Sequence, residues 1–460
     1  MEKFRIARDT LGEVKVPEKA YYGAQTQRAV ENFPISGMRL PRSFIRAQAI
    51  IKRSAAIANR DTNQLEEKKA NAIIKASEEV MSGRFDNEFV VDAYQAGAGT
   101  SQNMNANEVI ASRACEILDG KRGDWSIIHP NDHVNMAQST NDTIHVAINI
   151  AIAEELQRIF YPAIEKTIKA LEKKAEDFHP FIKSGRTHLQ DAVPMRLGQA
   201  FAGYAQSLRN GYDSVKQAEP LVYEIGLGGN AVGTGINAHV EYSDRAIIAV
   251  EETTGLPFEK PKNRFSFMQN TGAAIRISHA LKEVAIHLIK ISSDLRLLSS
   301  GPRTGIAELT LPAVQPGSSI MPGKVNPVIP ENLYMICSQV IGNDSCVSTA
   351  GIGSQLEINP MMPIIGYNVL QSVTILSNGM DTFTERCVRG IQANEERMNE
   401  LMEKSLALAT ALNPKIGYER AAEIAKESYN SGKTVRELVL EKGIVTKEEA
   451  DELLDPEKLV

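Results

Sequence analysis

The stretch ISHALKEVAIHLIKISSDLRLL, residues 277–298, decides the fold class. Its large apolar side chains recur at alternating spacings of four and three residues, at Ile277, Leu281, Val284, Leu288, Ile291, Leu295 and Leu298. A 3.5-residue period kept over three heptads places these side chains in one seam along a helix of at least 22 residues. We therefore predict a mainly α-helical protein in which long helices pack side by side.

Three further long helices are predicted around this seam. Residues 147–178 are rich in Ala, Glu, Lys and Leu, with Pro162 as the expected kink, and helical patterns also cover residues 331–341 and 364–376. A monomer of this size offers few partners for several long seams, which favours self-association.

The character of the chain changes along its length. From about residue 393 the segments become shorter and more charged, and the first 140 or so residues read as a mixed unit with irregular loops. We predict three domains: residues 1–138, mixed and mainly helical; residues 139–393, the long-helix bundle; and residues 394–460, small and helical.

Composition excludes several classes of protein. With 51 Lys and Arg against 57 Asp and Glu, the chain has no basic surface of the kind that nucleic acid requires. Its four cysteines contain no C-x-x-C pair, which favours free thiols over disulfides or a zinc site. The first residues lack the apolar core of a signal peptide, and no apolar stretch is long enough to span a bilayer. We expect a cytoplasmic protein.

Four clusters of small polar residues interrupt the helical sequence, at 97–107, 138–142, 185–191 and 317–327. Helix capping is an equally good explanation of the second cluster, and a flexible surface connection is an equally good explanation of the last. The second cluster precedes a helix that we expect to begin near Val146. In the third, His188 lies in a short polar break between helices, where an imidazole can transfer protons or serve a structural role.

Two common motifs fail on spacing. Gly317 and Gly323 are separated by five residues where a phosphate-binding loop has four, and Val325 occupies the position of the magnesium-binding hydroxyl. Residues 226–231 lack the strand, helix and acidic residue of a dinucleotide fingerprint. His129 and His133 flank Pro130, which argues against a helical pair of metal ligands. We predict neither metal nor organic cofactor.

Taken together, the polar segments resemble the aspartase/fumarase superfamily over nearly the whole chain. The loop GSSIMPGKVNP at 317–327 matches the superfamily signature without a gap. Other matching segments are GAQTQR at 23–28, Gly99-Thr100 with Asn103-Met104-Asn105, HPND at 129–132, 138–142, 185–190 and LGGNAVGTG at 227–235.

The resemblance implies a mainly α-helical homotetramer whose subunits contribute long helices to a shared central bundle. Each active site then draws residues from three subunits. The implied reaction is a reversible anti elimination that gives fumarate from a four-carbon dicarboxylate. A base removes the proton next to one carboxylate, and donors aimed at the resulting aci-carboxylate stabilise its charge.

Residue roles follow from the same resemblance. Ser318 corresponds to the base, its hydroxyl acidified by N–H groups and Lys324 in a loop that closes over the substrate. His188, paired with Glu331, handles the leaving-group proton or orients the water.

The substrate-binding residues form two implied groups. One carboxylate is held by Thr187, Lys324 and Asn326, with Ser319 in the same loop. The other carboxylate and the leaving group are held by Thr100, Ser139, Thr140 and Asn141. His129, Pro130, Asn131 and Asp132 correspond to a second dicarboxylate site of fumarases.

The leaving group separates two interpretations. GAQTQR, HPND and the Gly228-Gly229 pair are fumarase-like and favour water, with fumarate and (S)-malate as the pair interconverted. Thr140, Asp294-Leu-Arg-Leu-Leu and Ala393-Asn394 are aspartase-like and favour ammonia. His145 lies in a segment that departs from both groups. A catalytically silent, lens-type relative is a third interpretation, which the intact Ser318 and its partners disfavour.

Overall fold

The computed structural model describes residues 3–460, which divide into two compact units. Within the described residues, the first unit comprises 3–162, Tyr212–Ala285 and Ser338–Ser377; the second comprises Ala163–Gly211, Ile286–Cys337 and Asn378–Val460. The three-domain division predicted from the sequence is not tested by this partition and stays a prediction.

Helices dominate the described chain, as the sequence predicts. The α-helices are α1 Ala24–Asn32, α2 Arg42–Asp61, α3 Glu67–Met81, α4 Thr100–Ile117, α5 Thr140–Glu155, α6 Tyr161–Asp177, α7 Leu197–Ala218, α8 Pro220–Tyr223, α9 Tyr242–Thr254, α10 Arg264–Gln269, α11 Gly272–Leu298, α12 Val328–Gly351, α13 Met362–Arg386, α14 Glu395–Glu403, α15 Asn413–Ile416, α16 Tyr418–Ser431, α17 Val435–Glu441 and α18 Lys447–Leu453. The strands form three antiparallel pairs: β1 Phe4–Asp9 with β2 Gly12–Pro17, β3 Ile182–Thr187 with β4 Gln190–Arg196, and β5 Leu309–Thr310 with β6 Gln392–Ala393.

Helix α11 confirms the seam predicted at 277–298. Its side chains from Ile277 to Leu295 at the seam positions are fully buried. Because the single chain already covers these side chains, the burial of this seam does not test self-association, which stays a prediction. The large apolar side chains that stay exposed on long helices lie elsewhere, such as Ile286 on α11 and Met335 on α12.

The helical run predicted at 147–178 begins earlier than expected, at Thr140 instead of near Val146. It is interrupted by a π-helical turn at Leu156–Phe160, directly before Pro162. Proline has no N–H to donate and its ring displaces the preceding carbonyl, so a widened turn is a natural place for it. The helices predicted at 331–341 and 364–376 are confirmed and are longer, as α12 and α13.

Each unit has its own buried apolar cluster. In the first unit, α2, α3 and α4 pack around residues such as Ile73, Val109 and Ile110. In the second, the short C-terminal helices pack around Leu408, Leu438 and Val439. No helix within residues 3–460 has the length and apolar character that a bilayer crossing requires.

The polar break predicted at 185–191 is a β-hairpin. Thr187 pairs with Gln190, and the two residues between them, His188 and Leu189, form the turn with φ of 54° and 60°. Positive φ at both central positions defines a type I′ turn, which matches the twist of paired strands. This hairpin was not predicted because Asn and Gly, the usual residues of such turns, are absent from its turn.

Candidate active site

Two helix N-termini meet in the first unit and carry four of the predicted site residues. We call Thr100, Asn103, Ser139, Thr140 and Asn141 the helix-terminus cluster. Thr100 begins α4, and Asn103 in its first turn donates from Nδ2 to the Thr140 hydroxyl at 3.2 Å. Free N–H groups and the helix dipole make such termini favourable for an anion.

The close approach of α4 and α5 depends on Gly99. This residue has φ of +85°, and a Cβ placed on it would lie 2.9 Å from the Ile144 side chain. Any other residue would therefore be strained and would push the two termini apart.

A capping box fixes the start of α5. The Ser139 hydroxyl accepts from the Asn141 N–H at 3.2 Å, and the Ser139 N–H donates to the Asp142 carboxylate at 2.9 Å. The capping predicted for this cluster is thus present, but Thr140 and Asn141 belong to the first helical turn.

Asp142 also anchors the glycine-rich segment at 227–235. Its carboxylate accepts from the N–H groups of Gly228 and Asn230 at 3.0 and 2.9 Å, and Asn141 Nδ2 donates to the Ala231 carbonyl at 2.8 Å. Burial raises the pKa of Asp142 to about 6. This segment therefore supports the helix-terminus cluster.

Beneath the cluster lies Lys52 of α2, fully buried. Its ammonium donates to the side-chain oxygens of Asn103 at 2.8 Å, Gln138 at 2.9 Å and Asn135 at 3.0 Å. Burial lowers the pKa of Lys52 to about 7, against the opposing attraction of Asp142. Sequence reasoning missed this residue, although a lysine between Ile51 and the alanines of an apolar helix face was a usable signal.

The predicted second dicarboxylate site, residues 129–132, lies on a separate turn of the first unit. His129 Nδ1 accepts from the N–H groups of Asn131 and Asp132, both at 3.2 Å, and lies 3.3 Å from the Asp132 carboxylate. Pro130 is buried, whereas Asn131 and Asp132 are exposed. Anion binding at this turn stays a prediction.

The GAQTQR segment at 23–28 has a structural explanation. The buried Glu108 carboxylate accepts from the N–H groups of Gly23, Gln25 and Thr26 and from the Thr26 hydroxyl, the last at 2.6 Å. These bonds lower the pKa of Glu108, but burial outweighs them and raises it. Glu108 thus caps α1.

In the second unit, the hairpin turn presents Thr187 and His188 to solvent. The base of the hairpin is held by Arg186, which makes a bidentate ion pair with the buried Glu308 at 2.8 and 3.1 Å. Arg186 is therefore a structural residue, and the turn beyond it holds the two predicted site residues.

Residues 317–326, which we call the serine loop, close on themselves. The Gly317 N–H donates to the Lys324 carbonyl at 2.8 Å, and Asn326 Nδ2 donates to the Gly317 carbonyl at 2.7 Å. A Cβ on Gly317 would lie 2.7 Å from both the Asn326 nitrogen and the Lys324 carbonyl oxygen, so only glycine fits there.

The fold of the serine loop directs two donors at Ser318. Its Oγ accepts from the N–H groups of Met321 at 2.9 Å and Ile320 at 3.2 Å. Two backbone donors on one hydroxyl oxygen favour its ionised form. Ser319 and Lys324 are exposed in the same loop.

Glu331 lies in the first turn of α12, next to the serine loop in the chain. Its carboxylate is 3.9 Å from the Arg296 guanidinium. The pairing of Glu331 with His188 stays a prediction. The structure thus gathers the predicted residues into local groups: the helix-terminus cluster and the 129–132 turn in the first unit, and the hairpin turn, the serine loop and Glu331 in the second.

His145, in the segment that departs from the family, lies one turn into α5. Its ring packs at 5.4 Å from that of Phe267 and is hydrogen-bonded to the backbone of Met268, and its buried Nε2 has no hydrogen-bond partner. Burial lowers the pKa of His145 to about 4. Residues 3–460 contain no group of three His, Cys, Asp or Glu side chains placed to hold a metal ion.

Comparison with known proteins defines the class. Residues 12–342 match the family model described as Lyase, and residues 408–460 match the one described as Fumarase C C-terminus. The chain therefore belongs to the lyase family that includes the fumarases and aspartases.

Three relatives lie close to it. The class II fumarate hydratase of Methylorubrum extorquens is 47% identical, covering 99% of this chain and 97% of its own. The aspartate ammonia-lyase of Bacillus subtilis is 46% identical, with 99% and 96% covered. The crystal structure of the recombinant class II fumarase from Schistosoma mansoni has a TM-score of 0.95 at 38% identity, with 99% and 98% covered.

Proposed function

We propose that this chain catalyses the reversible hydration of fumarate to (S)-malate. The observation that carries the proton-removal step is the pair of backbone N–H groups on Ser318 Oγ. The fumarase-like segments GAQTQR, HPND and Gly228-Gly229 favour water as the leaving group. A serine hydroxyl is a poor base at its usual pKa, and these donors supply the stabilisation that its ionised form needs.

In the reverse direction, the dehydration of (S)-malate to fumarate, the ionised Ser318 removes the proton from the carbon next to one carboxylate. The electron pair of the broken C–H bond delocalises into that carboxylate, which becomes an aci-carboxylate dianion. It then returns to form the double bond as hydroxide leaves the neighbouring carbon. His188, oriented by Glu331, supplies the proton that converts the leaving hydroxide to water.

Substrate binding is assigned to two groups of residues. Thr187, Lys324 and Asn326, with Ser319 beside them, hold the carboxylate that gains charge, because an ammonium and amide donors stabilise a dianion. Thr100, Ser139, Thr140 and Asn141 hold the other carboxylate and the leaving group at the helix N-termini. His129, Pro130, Asn131 and Asp132 form the second dicarboxylate site.

The proposal includes a homotetramer in which three subunits complete each active site, located in the cytoplasm. Support comes from the exposed positions of the hairpin turn and of Lys324, which suit docking against another chain. Size-exclusion chromatography with light scattering tests this assembly, and a fully active monomer would contradict it.

Aspartate ammonia-lyase activity is the second candidate. It is favoured by Thr140, the aspartase-like residue of the helix-terminus cluster, and by the 46% identity to the Bacillus subtilis enzyme. The serine loop serves either reaction, since both remove a proton next to a carboxylate.

Absorbance of fumarate distinguishes the candidates. Purified protein is given (S)-malate and L-aspartate in parallel, and fumarate from malate is the expected result. Fumarate from aspartate alone would establish the second candidate. Formation from neither substrate would support a catalytically silent relative.

A further inference from the structure

The charge of Lys52 determines which groups donate and which accept in the hydrogen bonds around it. An ammonium has three donors and no acceptor. The oxygens of the three amides that it contacts, those of Asn103, Asn135 and Gln138, all face the Lys52 nitrogen, which is the arrangement that its charged form requires. The orientation of each amide, which is otherwise a matter of assignment, follows from this one charge.

Asn103 transmits this orientation to the surface of the cluster. With Oδ1 on the ammonium, its Nδ2 is left to donate, and it does so to Asn135 Oδ1 and to Thr140 Oγ1, both at 3.2 Å. Thr140 Oγ1 thus accepts a bond from inside the protein. Its own hydroxyl proton stays available to donate outwards.

We propose that Lys52 and Asn103 are positioning residues that fix the Thr140 hydroxyl as a hydrogen-bond donor to the bound dicarboxylate. The inference rests on the proposed function for the identity of that ligand. Without the ammonium, the Asn103 amide is free to turn over and accept the Thr140 proton, which removes a donor from the anion.

The test reverses the polarity without changing the shape. The substitution Asn103→Asp replaces Nδ2 by an oxygen that accepts the Thr140 proton, and it leaves Lys52 with a carboxylate partner. Succinate, an unreactive four-carbon dicarboxylate, is titrated by calorimetry. We expect it to bind about tenfold more weakly, as for loss of one hydrogen bond to a charged group.

A double-mutant cycle separates the relay from the added charge. In a Thr140→Val background, Asn103→Asp should have no further effect on succinate binding, whereas in a Thr140→Ser background its full effect should return. Equal weakening in all backgrounds, or no weakening at all, overturns the proposal. Lys52→Met removes the charge and should likewise weaken succinate binding only when residue 140 has a hydroxyl. It replaces Asn103→Asp in the test if that variant does not fold.

The matched control is Asn105→Asp on the same helix. Asn105 is also buried, but its amide bonds the backbone of Glu88 and Val90 at 2.9 and 3.0 Å and does not contact Thr140. It should lower the melting temperature and leave succinate affinity unchanged. The readout of this test is binding, so the two proposals can fail separately. If the protein converts neither malate nor aspartate, only the proposed reaction is refuted. If the unaltered protein does not bind succinate, the proposed role of Lys52 and Asn103 is refuted.

Discussion

The two units carry candidate residues that are held in different ways. In the first, the helix-terminus cluster is supported from beneath by buried charges, Lys52 and Asp142, and by long helices. In the second, the serine loop and the hairpin turn are mostly exposed, and the serine loop is shaped by hydrogen bonds among its own residues. The difference suggests a division of work, with a rigid region that binds an anion and a local loop that performs the chemistry.

This division predicts which property each substitution changes. Variants of the serine loop should lose turnover and keep stability, because few buried groups depend on the loop. Variants beneath the helix-terminus cluster should lose stability, binding or both. The predictions that follow test this contrast.

Ser318→Ala should give the largest effect. Removing a general base costs two to four orders of magnitude, so we expect turnover to fall about 10³-fold, with little change in KM. Steady-state kinetics on the substrate that gives fumarate measures the loss. An unchanged melting temperature is the control, and unchanged turnover would remove Ser318 as the base.

Substitution of the buried His145, in the first unit, should change the stability of the protein, in contrast to the serine-loop variants. Its pKa of about 4 in the folded chain lies below the usual 6.5, so the unfolded chain binds the extra proton as pH falls from 6.5 to 4. The folded state then loses about 3 kcal/mol over this range. His145→Gln lacks this proton and should remove that part of the pH dependence.

Urea unfolding of the original chain and the variant at several pH values measures the difference. Asp142 titrates in the same range with the opposite sign, since its raised pKa makes stability fall as pH rises from 3.8 to about 6. It is present in both proteins, so the difference between them isolates His145. Parallel curves for the two proteins would contradict a buried neutral imidazole.

Gly317→Ala, also in the serine loop, should lower turnover less than Ser318→Ala does. The added methyl would meet the backbone of Lys324 and Asn326 at 2.7 Å, so the loop must open and Ser318 must move. Misplacement of a reacting group by about 1 Å costs roughly 10²-fold, and we expect turnover to fall by about that factor or less.

The control for Gly317→Ala is Gly255→Ala, at the end of α9. Gly255 has φ of +69° with open space around its Cβ position, so the substitution introduces backbone strain without a clash. It should cost about 1 kcal/mol of stability and no turnover. Equal loss of turnover in the two variants would show that the serine loop has no special geometry.

The contrast between the units also explains what sequence could predict. The seam of α11 and the signature of the serine loop are local patterns, so the helical fold class and the family were readable from the sequence, and the role of Ser318 stays a prediction. Lys52 and Asp142 act through partners distant in the chain, so the sequence did not show their contacts, although a lysine on an apolar helix face was a usable signal. The hairpin was missed because His188 and Leu189 adopt backbone angles that their residue types disfavour.

The prediction of self-association was limited in the same way, because it also depended on contacts that the sequence does not show. A seam predicts that a helix face is buried but does not say by which chain, and the seam of α11 is covered within its own. The sequence alone also did not show that the ring of His145 contacts Phe267 and Met268. Both cases depend on packing between segments distant in sequence.

The smallest expected effect concerns the hairpin turn. Leu189 has φ of 60° and is largely exposed, so its side chain gains little packing to offset a left-handed backbone. Leu189→Gly removes a strain of about 1–2 kcal/mol and adds a loss of backbone entropy of about 0.5–1 kcal/mol, which leaves a gain of roughly 0.5 kcal/mol. Chemical unfolding measures it against Val193→Gly, an exposed strand position where the same change should destabilise. If the strained turn also orients His188, Leu189→Gly should lower turnover while raising stability, and a variant that raised both would place the orientation of His188 elsewhere.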